Sequence, residues 1–276
     1  MDNVYVLDNQ DLVEKIKRIK NAGADKLHIV ADFDKTLTKF LINGRQIPSV
    51  ISLIREGGYL TNDYPRKAYA LYDKYHPVEL DDTISIKDKN EKMLEWWRTH
   101  EKLLVESGMN KSVIDDIIKK YPDILRVGAD EFFNLLHRHK IPLLIFSSGV
   151  GNIIEGYIKK DYDNIHILSN TFNFDKKGYA TGYKEDIIHV FNKSETAIKN
   201  EKYLKAIFGR RNIILLGDSL GDLGMVKGIK YDTLISIGFL NEEIDKKLSI
   251  YMKNFDVVIT NDGDMGYANK LIEELV

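Results

Sequence analysis

The feature that most constrains this chain is an apolar run that ends in two closely spaced acids. Residues 27–31 (LHIVA) are mainly apolar, and residues 32–36 (DFDKT) follow them directly. A run of this kind predicts a strand that is buried on both faces, as in a parallel sheet. Ligands of open α/β sheets usually bind at the carboxyl ends of such strands. The carboxylates of Asp32 and Asp34 are therefore expected where a metal ion or a phosphate would bind.

The same pattern occurs a second time near the C-terminus. Residues 213–216 are apolar, and Asp218 and Asp222 follow them one helical turn apart. Mg²⁺ prefers oxygen ligands, so a few carboxylates and a substrate phosphate suffice to bind it. We expect Asp32 and Asp218 to ligate Mg²⁺ through their side chains, Asp34 through its backbone carbonyl, and Asp222 to support them. Each aspartate alone is also typical of a turn or a helix cap, but two such loops after two strands favour a metal site.

Two further polar elements are expected to complete a phosphate site. Ser147 and Ser148 follow the apolar run 141–146 and precede a helical pattern, which is typical of a phosphate cradle. Ser147 is expected to use its hydroxyl, and Ser148 its backbone N–H. Lys193 is the candidate for the fixed cation that lets a dianionic phosphate approach a carboxylate. Taken singly, these residues also fit an ordinary turn and a solvated surface lysine.

The order of the patterns predicts a fold class and two domains. Strand-like runs alternate with helical patterns outside residues 48–122, which favours an α/β, doubly wound, Rossmann-like parallel sheet. Residues 48–122 show helical patterns and no strand-like run. We therefore predict a catalytic core of residues 1–47 and 123–276, with a helical cap of residues 48–122 inserted after the first strand.

Caps and breakers predict several individual elements. Asp63 is expected to cap one helix, and Asn110 or Ser112 to start another. Residues 175–178 (DKKG) predict a hairpin turn, and a helix is expected over about residues 195–208.

Composition excludes several classes of protein. The 276 residues are 43% hydrophobic and 30% charged, as in soluble globular proteins. A net charge of −2 gives no electrostatic reason to expect nucleic acid as a partner. The absence of cysteine excludes disulfides, thiolate zinc sites and thiol nucleophiles. With no secretory signal and no membrane-length apolar run, we expect a soluble cytoplasmic protein that acts on a small molecule, and its oligomeric state stays open.

Taken together, the four motifs resemble those of a known superfamily. The string DFDKTLT (residues 32–38) looks like the first motif of the haloacid dehalogenase superfamily of phosphatases. Ser147, Lys193 and the string GDSLGD (residues 217–222) match its second, third and fourth motifs in the expected order.

Longer strings are similar to a narrower family, cytosolic 5′-nucleotidase III. These strings are IFSSGVG (145–151), IHVFNK (188–193) and IILLGDS (213–219). The family includes pyrimidine 5′-nucleotidases and 7-methylguanosine-phosphate-specific nucleotidases. The similarity runs from about residue 25 to the C-terminus and includes the helical insertion.

This resemblance implies a stepwise phosphatase mechanism. Asp32 would attack the 5′-phosphate of a nucleoside monophosphate and become an aspartyl-phosphate. Asp34 would protonate the departing ribose oxygen and then take a proton from the hydrolytic water. Mg²⁺, Ser147, Ser148 and Lys193 would hold the transferring oxygens and offset their charge.

The resemblance also implies that the cap recognises the base. Glu79 lies in a segment similar to the one whose glutamate contacts the base, and Trp97 takes the place of an aromatic stacker. His100 stands where pyrimidine-specific relatives look to have serine. Trp97 and His100 also fit a role in cap packing, and Trp96 and Trp97 are not expected to face the base together. A tryptophan here is similar to the methylguanosine branch, because a cationic base gains from a broad aromatic face.

Three functions follow from these observations. The main hypothesis is a Mg²⁺-dependent 5′-nucleotidase acting on CMP, UMP or 7-methyl-GMP, with the base left open. A phosphatase of the phosphoserine type shares the four core motifs, although a small hydrophilic substrate offers nothing for tryptophans to stack on. A non-catalytic nucleotide-binding module would require the loss of a reactive group, and none of the expected groups is missing.

Overall fold

The apolar runs of the sequence form a central sheet, and the polar strand ends meet at one of its edges. The structure is a computed structural model of the chain and describes residues 3–81, 83–158, 161–194 and 198–276. Its strands are β1 (Val4–Val6), β2 (Leu27–Ala31), β3 (Leu41–Ile42), β4 (Arg45–Gln46), β5 (Leu143–Val150), β6 (Ile165–Asn170), β7 (Phe172–Phe174), β8 (Ala180–Tyr183), β9 (Asn212–Gly217), β10 (Thr233–Leu240) and β11 (Val257–Thr260). Its α-helices are α1 (Asn9–Ala22), α2 (Val50–Glu56), α3 (Tyr64–Leu80), α4 (Ile86–Glu106), α5 (Lys111–Lys120), α6 (Ala129–Arg138), α7 (Gly151–Tyr157), α8 (Glu201–Ala206), α9 (Ile244–Asn254) and α10 (Gly266–Leu275).

Seven of these strands form one mainly parallel sheet in the order β1-β11-β10-β9-β2-β5-β6. Every neighbouring pair is parallel except β1 and β11. Successive side chains of a strand point to opposite faces, so a strand covered on both sides must be apolar throughout. Ile29 packs with α1, α6 and α10 on one face, whereas Val30 packs with α8 and α9 on the other. The expected doubly wound α/β fold is confirmed.

Two small β elements were not expected from the sequence. The edge strand β1 has three half-buried residues, too few for a periodic signal, and it pairs antiparallel with β11. The cap helices therefore follow the second strand of the central sheet along the chain, β2, and not the first. Strands β3 and β4 form a hairpin around Asn43 and Gly44, whose φ angles are 51° and 73°. Such positive values at both central residues are typical of a two-residue hairpin turn, for which Asn-Gly is a favoured sequence.

Strand β5 is longer than expected. It continues past Phe146 to Val150, and its pairing with β6 is irregular between these two residues before Val150 meets Asn170. Ser147 and Ser148 therefore lie in the irregular end of a strand and not in a loop after it. The extension occurs because β6 also continues to Asn170 and offers further backbone partners.

The residues that begin two of the helices agree with the sequence predictions in part. The Asn110 side chain accepts hydrogen bonds from two backbone N–H groups of α5, as expected. The Asp63 side chain makes no capping hydrogen bond, and its carboxylate pairs with Lys67 at 2.6 Å, so that expectation was wrong.

Strands β7 and β8 form the expected hairpin. Of the helix expected over residues 195–208, residues 195–197 lie outside the described residues, and α8 begins at Glu201.

Helices α2 to α5 lie within the predicted cap, residues 48–122. At the end of the cap that faces the sheet, Tyr64 and Leu104 belong to the same apolar cluster as the strands. At the far end, the rings of Tyr75 and Trp96 stack on each other with centroids 5.8 Å apart. The division into cap and core at these residues stays a prediction. Among the described helices, none is both long and apolar enough to cross a bilayer.

Candidate active site

The register of three parallel strands brings the predicted motif residues to one edge of the sheet. Ala31 at the end of β2 lies opposite Leu216 of β9 and Ile145 of β5. The residues that follow these strands therefore emerge side by side. The Asp32 backbone N–H donates to the Leu216 carbonyl at 3.0 Å, which continues the pairing of β2 with β9 beyond the strand.

Three carboxylates meet at this edge. Asp32, Asp218 and Asp222 each offer one oxygen, and these oxygens lie within 4.8 Å of one another. Burial raises the pKa of Asp32 and of Asp218, and repulsion between the carboxylates raises both further. The side chains of Asp32 and Asp222 are almost fully buried. The cluster therefore holds negative charge at a cost in free energy that a bound cation would remove.

Lys193 is the cation that the protein itself places in this cluster. Its Nζ donates to the Asp32 carboxylate and lies 3.5 Å from Asp222. Burial alone would lower the pKa of Lys193, but attraction to Asp32 and Asp222 outweighs it and raises that pKa. The lysine is therefore charged and fixed beside Asp32 and is not a solvated surface residue.

Asp222 has a larger part in the geometry than its expected supporting role. One of its carboxylate oxygens accepts hydrogen bonds from the Asp218 and Ser219 N–H groups and from the Ser219 hydroxyl. A Cβ at Gly217 would lie 2.5 Å from the Asp222 Cβ, so only glycine leaves room for this side chain. The capping box of the following 3₁₀ turn thus holds the Asp222 carboxylate inside the cluster.

The Asp34 carboxylate does not belong to this cluster. Its Oδ1 accepts a hydrogen bond of 3.0 Å from the Val50 N–H at the start of α2. Burial raises the pKa of Asp34 to about 6, and the bond from Val50 offsets part of that rise. A Cβ at Gly149 would lie 3.5 Å from Asp34 Oδ2 and 2.5 Å from a methyl group of Val50, so glycine keeps this space open. Asp34 therefore lies between the motif on β5 and the first cap helix.

Ser147 and Ser148 both lie beside Gly149, but they have different surroundings. The Ser147 side chain is buried, and its hydroxyl accepts the Gly149 N–H at 3.0 Å. Ser148 lines a cavity under the cap.

Asn170, which the sequence analysis missed, fixes this part of the chain. Its Nδ2 donates to the carbonyls of Ser148 at 2.7 Å and Ile188 at 2.8 Å, and its Oδ1 accepts the Ile188 N–H. Asn170 thus connects the serine motif to the segment that leads to Lys193. An asparagine just after a predicted strand was the available signal.

The cavity beside Ser148 has a volume of about 180 Å³. It extends into the predicted cap, and the structure brings all three predicted cap residues to its lining, namely Glu79, Trp97 and His100. Trp96 lines it as well, although only one of the two tryptophans was expected to face the base. Trp96 is half-buried and its ring also stacks on Tyr75, so both indoles of α4 reach the cavity while one of them packs against α3.

Glu79 and His100 differ in their electrostatic state. Burial raises the pKa of Glu79, while His76 and Lys89 favour its charged form. Burial lowers the pKa of His100 to about 4, and its Nε2 lies 3.0 Å from the Tyr64 hydroxyl. His100 is therefore a neutral, hydrogen-bonded histidine at neutral pH that also lines the cavity.

Arg55 is a cavity residue that the sequence analysis missed. It lies on α2, its guanidinium stacks on the rings of Tyr69 and Tyr72 at 4.7 and 5.2 Å, and it donates to the Ser52 hydroxyl at 2.8 Å. Its Nε is buried and has no hydrogen-bond partner within the described residues. The cavity thus contains one fixed positive charge and the carboxyl group of Glu79.

Comparisons with known proteins agree with this geometry. Residues 35–276 match the family model described as pyrimidine 5′-nucleotidase (UMPH-1). A 7-methylguanosine phosphate-specific 5′-nucleotidase A of Xenopus laevis is 36% identical over 276 residues, covering 99% of this chain and 95% of the relative. The crystal structure of cytosolic 5′-nucleotidase IIIB (cN-IIIB) bound to cytidine superposes with a TM-score of 0.89 at 31% identity, covering 100% of this chain and 94% of that one. A probable phosphoserine phosphatase from Vibrio cholerae, at 11% identity and a TM-score of 0.56, covering 92% of this chain and 66% of that one, shares the fold alone.

Proposed function

Because the chain belongs to the pyrimidine 5′-nucleotidase (UMPH-1) family and is a 5′-nucleotidase with a haloacid dehalogenase fold, we propose that it hydrolyses nucleoside 5′-monophosphates through Asp32. The observation that carries the proposal is the position of Asp32. Its carboxylate contacts Lys193 and lies in one cluster with Asp218 and Asp222. An aspartate in such a site can act as the nucleophile of a phosphoryl transfer.

The donor set fits a divalent cation. Three oxygens from buried or partly buried carboxylates lie within 4.8 Å of one another, and Lys193 is the cation that contacts them. Oxygen ligands of this kind suit Mg²⁺. We propose that Asp32, Asp218 and the Asp34 carbonyl hold it, with Asp222 beside them. When bound, Mg²⁺ would neutralise the carboxylates and polarise the phosphoryl oxygens.

The residues of the chain can then be given separate roles. Asp32 attacks phosphorus and forms an aspartyl-phosphate as the ribose 5′-oxygen leaves. Asp34, whose pKa burial raises to about 6, donates a proton to that oxygen and later accepts one from the water that attacks the phosphorus of the aspartyl-phosphate, which releases phosphate and restores Asp32. Lys193 and Ser147 hold the equatorial oxygens and stabilise their developing charge.

The cavity supports a nucleoside over a small hydrophilic substrate. Two indoles and the phenol ring of Tyr72 supply stacking surface, and Glu79 can accept hydrogen bonds from the N–H groups of a base. CMP, UMP and 7-methyl-GMP all present such N–H groups. The relatives named above agree with this substrate class, and one relative's name includes the word cytosolic, which supports a cytoplasmic location.

A substrate panel tests the proposal. Phosphate release is measured with CMP, UMP, 7-methyl-GMP and phosphoserine, with Mg²⁺ and after its removal by a chelator. We expect release from at least one nucleotide, dependence on Mg²⁺, and a rise of the melting temperature on adding Mg²⁺ that Asp218→Asn diminishes. Hydrolysis of phosphoserine alone would contradict the nucleotide proposal.

A further inference from the structure

A buried arginine lies behind the loop that carries the two proposed catalytic aspartates. Arg126 is in the segment between α5 and α6, and its side chain is only 1% exposed. None of the roles proposed above uses it. Burial of a guanidinium requires that its N–H groups find acceptors, because an unpaired buried charge is costly.

All five N–H groups of Arg126 have an acceptor. Its Nε donates to the Thr36 carbonyl at 2.7 Å, and one Nη2 bond reaches the Lys35 carbonyl. The remaining acceptors are the Asp262 carboxylate at 3.0 Å, the Gly263 carbonyl at 2.6 Å and the Asn241 side chain at 3.5 Å. The guanidinium also lies over the Phe239 ring, 4.4 Å from its centroid. This use of a planar fork is specific to arginine and is not available to lysine.

Two of the three carbonyls that Arg126 binds belong to Lys35 and Thr36, the residues directly after Asp34. Lys35 has a φ of 59°, a left-handed conformation that costs free energy for a residue with a side chain. Its N–H donates to the Thr38 hydroxyl at 2.7 Å, and its carbonyl also accepts the Asn241 amide at 3.1 Å. The backbone that orients Asp34 is therefore held in a strained shape by side chains from distant parts of the chain.

The backbone of Arg126 connects the same loop to the cap. Its N–H donates to the Leu37 carbonyl at 2.8 Å, and the Lys39 N–H donates to the Ile124 carbonyl at 2.8 Å. These two bonds pair the segments by which the chain enters and leaves the predicted cap. A displacement of either segment would therefore also displace the loop after Asp34, because Arg126 is bonded to both.

We propose that Arg126 is a positioning residue that fixes the loop after Asp34 so that the Asp34 carboxyl group meets the leaving oxygen. The inference rests on the function proposed above. Loss of the guanidinium would remove one donor from each of the Lys35 and Thr36 carbonyls, and displacement of a catalytic group by about 1 Å is enough to cost roughly 100-fold in rate. The effect should be largest where the leaving group needs a proton.

Arg210 provides a matched control at the other end of the same strand. Its Nη1 donates to the carbonyls of Ala24 at 2.8 Å and Leu27 at 2.7 Å, and its Nη2 to the Lys140 carbonyl at 3.1 Å. Arg210 thus binds carbonyls at the start of β2, whereas Arg126 binds carbonyls beyond its end. Removing either guanidinium takes hydrogen-bond donors away from backbone carbonyls, but only the loss of Arg126 does so beside the proposed catalytic residues.

The experiment compares Arg126→Met, Arg126→Lys and Arg210→Met, each assayed well below its melting temperature. Substrates are the best nucleoside monophosphate and p-nitrophenyl phosphate, whose leaving group needs little protonation. For both Arg126 variants we expect kcat on the nucleotide to fall by about 10- to 100-fold, with KM within about threefold and a clearly smaller fall on p-nitrophenyl phosphate. Arg210→Met should lower the melting temperature and leave kcat within about twofold on both substrates.

Equal losses on the two substrates, or equal losses in the Arg126 and Arg210 variants, would overturn the proposal and assign Arg126 a role in stability alone. If Arg126→Met does not fold, Arg126→Lys and Asn241→Ala decide, since the latter removes another donor to the Lys35 carbonyl. If both of these variants kept the wild-type ratio of kcat on the nucleotide to kcat on p-nitrophenyl phosphate, the proposal would also be overturned. Failure of the proposed function is distinct, because the unaltered protein would then release no phosphate from any nucleotide.

Discussion

The aspartate cluster at the sheet edge and the cavity under the cap are held in place by different means. At the sheet edge, three separate segments meet: Asp32 follows the register of β2 with β9, backbone N–H groups hold the Asp222 carboxylate, and Lys193 donates to Asp32. In the cavity, Trp96 and Arg55 lie on helices and are held by other side chains, chiefly aromatic ones. Register allows little adjustment, whereas side-chain packing can be altered locally. Changes at the sheet edge should therefore abolish turnover, and changes in the cavity should alter substrate preference.

The largest effect is expected for the nucleophile. Asp32→Asn retains the shape of the side chain but removes the attacking carboxylate, so kcat should fall by at least about 10³-fold. Phosphate release from the preferred nucleotide measures it. Asp25→Asn, which changes an exposed acid paired with Lys26, serves as the control. Retention of more than a tenth of the activity by Asp32→Asn would break the distinction between the two regions.

The next largest effect is expected for the lysine. Lys193→Met removes the charge that offsets Asp32 and Asp222, and kcat should fall by about 10²- to 10³-fold. The control is Lys199→Met, because the Lys199 side chain is 87% exposed and pairs with Asp186 near the surface. Similar rates for the two variants would indicate that Lys193 only balances charge in the fold.

In the cavity we expect a change of preference and not a loss of activity. Arg55→Gln removes a positive charge that opposes a cationic base, so kcat/KM for 7-methyl-GMP relative to CMP should rise by roughly fivefold, or about 1 kcal/mol. Glu79→Gln should shift the same ratio in the opposite direction. Arg66→Gln, an exposed change on α3 outside the cavity lining, is the control. A ratio that stays constant in both cavity variants would place the base elsewhere.

The smallest effect on turnover is expected for His100, whose main effect is that the protein loses stability in acid. Its pKa is about 4 in the folded protein against an ordinary value of 6.5. Between these values the unfolded chain binds the proton more readily, so this group's share of stability is complete above pH 6.5 and declines as the pH falls towards 4. At pH 5 the decline is about 2 kcal/mol.

Urea unfolding at pH 7 and pH 5 measures this decline. The difference between the two pH values should be smaller in His100→Gln than in the unaltered protein, while His139→Gln, at an exposed position after α6, should change it little. An unchanged difference in His100→Gln would show that another buried group, such as His189, dominates the response.

The contrast between the regions also explains what the sequence could predict. Asp32, Ser147 and Asp218 each follow an apolar run, and parallel strands bring their carboxyl ends to one edge, so their proximity could be inferred without coordinates. The position of the Asp222 carboxylate could not, because it depends on a capping box and on the space beside Gly217. The length of β5 depended in the same way on its neighbour β6.

Residues held by long-range packing gave little signal. Arg126 binds carbonyls and a carboxylate about 90 to 140 positions away in the sequence, and no local pattern marks such an arginine. In the cap, the rotation of α4 about its axis brings both indoles to the cavity, and α4 contacts α3 through the stacked rings of Trp96 and Tyr75. The sequence therefore predicted the candidates Glu79, Trp97 and His100 but neither Trp96 nor Arg55.

The ends of α3 and α4 near the sheet are packed differently from the ends far from it, and this difference affects how a nucleoside could enter the cavity. Tyr64 and Leu104 are part of the apolar cluster of the sheet, whereas Tyr75 and Trp96 lie outside that cluster and stack on each other. Opening the far turns of α3 and α4 therefore breaks fewer buried contacts than opening the near turns. We expect amide hydrogens of residues 72–80 and 86–96 to exchange with deuterium sooner than those near 64 or 104, and bound nucleoside to slow the former. The far turns can thus give access to the cavity while the aspartate cluster stays intact.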